Sequence, residues 1–172
     1  MGLPIKTNSG RTDIPAMVRE LKLGSGDNPS SEAQIVRYHQ DEASSRIYRA
    51  EAALRQRNPP YERHWSTIAE VQEYVDSVIA APPAGWHPWP CDVKALPPGQ
   101  YGAMYRSGIR LHEHPAVLRE LVVLHELAHH CTRIPDHGAA FLITLLALVG
   151  HCMGEQAYAD LLANLRAEGV RA

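Results

Sequence analysis

Prolines divide this chain and set the bounds of its helices. Pro59-Pro60, Pro82-Pro83, Pro115 and Pro135 stand between its periodic apolar stretches. Proline lacks an N–H and clashes with the preceding helical turn, so each position bounds a helix. A first helix is expected from Ser31, which forms a capping box with Gln34, through Ile35, Tyr38, Ile47, Tyr48 and Leu54. A second starts at Thr67, where Glu70 completes another box and Ile68, Val71, Val75, Val78 and Ile79 recur at helical spacing. Residues 81–100 read as loop with one short strand over 91–96. Ala103-Met104-Tyr105 and Ile109-Arg110-Leu111 flank Ser107-Gly108 and predict a hairpin. Helices over 116–132 and from near His137 to Gly150, then one marked by Tyr158, Leu161, Leu162 and Leu165, complete the chain. This order predicts an α+β fold, mainly helical, with a small antiparallel sheet or hairpin packed against the 116–132 helix.

Length and charge narrow the classes. The 172 residues suit one domain, expected over 31–172, behind a flexible N-terminal segment over 1–30 that is scattered with Gly, Pro, Ser and Asn. An apolar content of 45% supplies a core without disulfides. The net charge is -2 with both signs interspersed, which gives no basic face for nucleic acid. The three cysteines are odd in number and widely spaced, so they form no disulfide framework and fit a reducing cytoplasm. The N-terminus lacks the apolar run of a signal peptide, and the longest apolar run, 139–149, is shorter than the ~20 residues a bilayer needs. A cytoplasmic protein with no membrane partner is expected.

The helix over 116–132 carries His125-Glu126-Leu127-Ala128-His129. Two imidazoles four residues apart lie on one helix face, one turn apart, and can grip one Zn²⁺ from a rigid support. Glu126 is angled off that face, where its carboxylate can reach water at the ion and act as general base. A catalytic zinc takes three protein ligands and leaves one position open. His137, just past the break at Pro135, is the leading third ligand. Asp136 is a rival whose position also suits helix capping, and Glu155 is a more distant one. His130 points about 100° away from His129 and is read as a surface or supporting residue.

The run Val122-Val123-Leu124-His125-Glu126-Leu127-Ala128-His129-His130, followed by His137-Gly138-Ala139-Ala140-Phe141, resembles the HExxH…HGxxF pattern of SprT-like and WLM-type zinc peptidases. With the upstream Ser45-Arg46-Ile47-Tyr48-Arg49-Ala50-Glu51, it is similar to a family of HExxH metallohydrolases of actinobacteria and their phages. The resemblance implies a zincin-like fold, one zinc ion on His125, His129 and His137, and Glu126 as base. The chain lacks the cysteine zinc ribbon common among SprT-like proteins, so DNA-bound substrates do not carry over. A peptide or protein substrate is the expected partner.

Lesser signals have blander readings. Trp86-His87-Pro88-Trp89-Pro90 reads as a stiff loop whose tryptophans cover the core, rather than as a cleft wall. Cys131 reads as a small buried hydrophobe. Tyr101, Tyr105, His112 and His114 are oxyanion candidates of equal standing. If Ile109 to Leu111 is an edge strand, an extended peptide can pair with it. The charges between Ser31 and Arg57 read as a solvated face with pairs such as Glu51 and Arg55.

Overall fold

The computed structural model describes residues 43–57, 62–96, 103–105 and 107–171. The N-terminal segment and the Ser31 cap lie outside these residues. Among them run α1 (Ser44–Arg55), α2 (Ile68–Ala80), β1 (Asp92–Ala95), β2 (Ala103–Tyr105), β3 (Gly108–Leu111), α3 (Glu120–Thr132), α4 (Ala139–Cys152) and α5 (Glu155–Ala167). The fold is α+β and mainly helical, as the periodicity predicts.

α3 is the central element. All of it is buried except Val122, Glu126 and Thr132. A helix that is apolar on most faces must be wrapped on most faces. α4 packs along it, β2 and β3 lie against it, and α5 joins α4 to α1. Leu121, Leu124, Leu127, Phe141, Leu145 and Leu148 meet in the shared core, each at most 1% exposed.

α2 starts as its sequence dictates. Thr67 accepts from the Glu70 N–H, and the Glu70 carboxylate accepts from the Thr67 N–H at 2.9 Å, the predicted capping box. α3 starts later than expected, at Glu120 rather than near Ala116. Residues 63–65 pair with this stretch: Trp65 N–H donates to Leu118 O at 3.0 Å and Glu120 N–H to Arg63 O at 2.9 Å. That pairing holds Arg119 extended (φ -124°), so the helix cannot begin before it. The Glu62 carboxylate then accepts from the Leu121 N–H, and the buried Glu120 carboxylate takes the Tyr74 hydroxyl at 2.7 Å.

The sheet corrects the antiparallel expectation in part. The predicted hairpin is present, with β2 antiparallel to β3 and Met104 opposite Ile109. β1 adds to the other side of β3 and runs parallel to it, with Val93 opposite Ile109. Loop 81–91 brings the chain back to the first turns of α2, which sets the direction of β1. There Gln72 donates to Cys91 O at 3.0 Å and accepts from the Val93 N–H at 2.6 Å. β3 is therefore the middle strand, and peptide pairing along Ile109 to Leu111 is excluded because both its edges are taken. Gly108 is required by this packing, since a Cβ there would overlap the Asp92 backbone.

Candidate metal centre

His125 and His129 project from one face of α3, with ring centroids 5.0 Å apart. Arg133 ends the helix in the left-handed conformation (φ 56°), and its N–H returns to His129 O at 2.8 Å. This tight reversal lets Ile134 O accept the His129 Nδ1–H at 3.0 Å. Pro135 prevents the helix from resuming, and Asp136 closes a local turn by accepting the Gly138 N–H at 2.9 Å. The turn brings His137 back over α3, where it is 2% exposed.

The three imidazoles converge. One ligand atom from each of His125, His129 and His137 lies within 4.8 Å of the other two. His125 Nε2 and His137 Nε2 are 3.3 Å apart. Two nitrogens held about 2.0–2.1 Å from a tetrahedral ion stand roughly 3.3–3.4 Å from each other, so this pair already has the separation a zinc imposes. The Nδ1 atoms of His125 and His129 are both taken by acceptors elsewhere, so Nε2 is the atom of each ring that could ligate an ion. Burying three imidazoles side by side is costly unless a proton or a cation is shared among them. The donor set fits a divalent ion, and these three rings would hold it.

The site's surroundings fix its rings. Phe141 is fully buried and touches all three, with centroids 4.9 Å from His125, 4.2 Å from His129 and 4.8 Å from His137. Tyr48 lies on the wetter side. The residue is 45% exposed, and its ring stacks on His125 at 5.3 Å and meets His137 edge-on at 5.6 Å. Glu51, one turn along α1, accepts the His125 Nδ1–H at 2.7 Å. A carboxylate behind a ligating imidazole fixes its tautomer and raises its basicity. Burial pulls the His125 imidazolium down, but the charge and hydrogen bond of Glu51 outweigh it, so the pKa of this ring stands above the ordinary histidine value.

Glu51 overturns the solvated-face reading of α1: it is 4% exposed and faces the core. A clue was present. Ile47, Ala50, Glu51 and Leu54 form one buried stripe at helical spacing, and a carboxylate in such a stripe needs a partner. Asp136 and Glu155 are exposed and stand outside the three-histidine group. Asp136 does not cap α4 either, since that helix begins at Ala139 behind Gly138. His130 is 1% exposed, which corrects the surface reading, and it too is outside the group. Glu126 is half-buried on α3, and its charge adds to the upward shift of His125.

The lesser signals resolve plainly. Trp86 packs against the core, whereas Trp89 is 42% exposed with the Arg133 guanidinium 4.5 Å above its ring. Cys131 is buried, and burial pushes its thiol up to about 12, so it is a neutral hydrophobe. His114 is exposed and accepts the Ala116 N–H at its Nδ1. His112 is half-buried. Tyr101 lies outside the described residues. No described helix is long and apolar enough to cross a membrane.

Comparison with protein-family models, curated proteins and solved structures returns no match.

Proposed function

We propose that this chain is a zinc-dependent hydrolase of peptide or amide bonds, zincin-like in design and related to the HExxH metallohydrolases its motif resembles. The 3.3 Å approach of His125 Nε2 to His137 Nε2, on the helix that also carries Glu126, is the observation that carries this reading. His125, His129 and His137 would hold a zinc ion, which when bound would supply Lewis acidity, lowering the pKa of water to about 7 and polarising a substrate carbonyl. Glu126 takes the proton from the attacking water and delivers it to the leaving amine. Glu51 orients His125, Ile134 O orients His129, and Phe141 keeps water from the inner side of the rings.

Tag-free protein is expected to carry one zinc per chain by elemental mass spectrometry, and His125→Ala to abolish it. Glu126→Gln should keep the zinc and the melting temperature while turnover of a peptide library falls by about 10²–10⁴. Full turnover in Glu126→Gln would remove it as the base. The near-complete burial of the three imidazoles (3%, 0% and 2% exposed) favours one alternative: a non-catalytic module in which zinc staples α3 to the turn before α4 and the protein works by binding a partner. A zinc-loaded parent inert to broad peptide libraries would select that alternative.

A further inference from the structure

A recess of about 310 Å³ opens against His137. Its walls come from three parts of the chain: Arg46 at the start of α1, Ala139 and Leu142 in the first turn of α4, and Val170 and Arg171 after α5. The volume is at the small end of ligand pockets and suits one or two residues of an extended peptide.

Among the described residues its charged lining side chains are two arginines, Arg46 and Arg171, with the Asp136 carboxylate at the Gly138 rim, where it accepts the Gly138 N–H. Arg49 on α1 is matched to Glu168 at 2.7 Å, and Arg57, just past the end of α1, to Asp160 at 3.0 Å. Arg46 and Arg171, the two arginines lining the recess, have no carboxylate within ion-pair distance among the described residues. The N-terminal turn of α4 forms a third wall, and its dipole adds positive potential there. Leu142 and Val170 add apolar lining to the recess. A guanidinium pair is the side-chain arrangement best suited to a carboxylate, which it meets with paired N–H donors.

We propose that this recess holds a substrate carboxylate next to the scissile bond, which makes the substrate class peptides with a free C-terminus or an acidic residue on that side. This rests on the hydrolase reading above. His137 is common to the recess and the three-histidine group, which sets the recess beside a bond placed at the ion.

The test reads binding separately from turnover. Zinc-loaded Glu126→Gln protein is titrated by calorimetry with Nα-acetyl-alanyl-alanine, its C-terminal amide, and Nα-acetyl-alanyl-glutamic acid α-amide. The free acid should bind about tenfold more tightly than the amide, and adding Arg46→Gln and Arg171→Gln should shrink that ratio to within about twofold. Arg46→Lys with Arg171→Lys, which keeps the charge, should retain most of the preference. If the glutamyl amide matches the free acid, the recess reads an acidic side chain as well as a terminus. Equal binding of acid and amide, or a preference that survives the glutamine pair, overturns the proposal. The hydrolase reading fails separately. A parent that cleaves no peptide but prefers the acid keeps the recess and loses the enzyme. A parent that cleaves acids and amides alike, with no effect of the arginines, keeps the enzyme and loses the recess.

Discussion

Glu51 and His125 are 74 positions apart in the chain and 2.7 Å apart in space. A buried carboxylate behind a ligand imidazole makes the ring a better donor and denies it other rotamers. Glu51→Gln keeps the shape and a hydrogen-bond acceptor but removes the charge. It should weaken zinc binding by about 10–100-fold in a competitive chelator titration, with α1 still folded. An unchanged affinity would mean that Glu51 serves packing alone. The two residue-level readings differed in legibility for a physical reason. His125, His129 and His137 are close in sequence and joined by one helix and one break, so local periodicity places them together. Glu51 reaches the site only through the packing of α1 on the core, and its spacing from Arg55 equally fits a surface pair.

At the scale of elements, helix starts were legible where the capping chemistry is local. The α2 box formed as its residues specify, and it sets a pH dependence. The N–H groups of Ser66 and Thr67, followed by the Thr67 hydroxyl, hold the Glu70 carboxyl below its ordinary value of 4.5. The stability from the charged box is therefore present above pH 4.5 and is lost as pH falls through the lowered folded pKa. Glu70→Gln should melt below the parent at neutral pH, and the two should converge in acid. A gap that persists in acid would assign the loss to shape instead of charge. The start of α3 was not legible, because the 63–65 segment that competes with its first turn is more than fifty residues away. The parallel β1 was likewise hidden, since its direction comes from the hold of Gln72 and not from its own residues. Gly108 marks that pairing. Gly108→Ala should destabilise the fold by about 1–3 kcal/mol in urea unfolding, because β1 and β3 must separate to admit a methyl group.

At the scale of the whole molecule, the candidate centre joins α1, α3 and the turn before α4, three parts that meet through the side chains of Glu51, His125, His129 and His137. An ion that binds the folded chain and not the unfolded one stabilises by mass action. Removal of zinc by a chelator should lower the melting temperature, and readdition should restore it. The effect should vanish in His125→Ala. A melting temperature indifferent to chelation would show that the three rings are held by packing and a shared proton alone.

Tyr48 has a consequence of its own. With Phe141 against the rings on the buried side, a guest approaching His125 and His137 from solvent meets Tyr48 as an aromatic doorpost. Choice among guests can thus be altered at the threshold while the chemical groups behind it stay untouched.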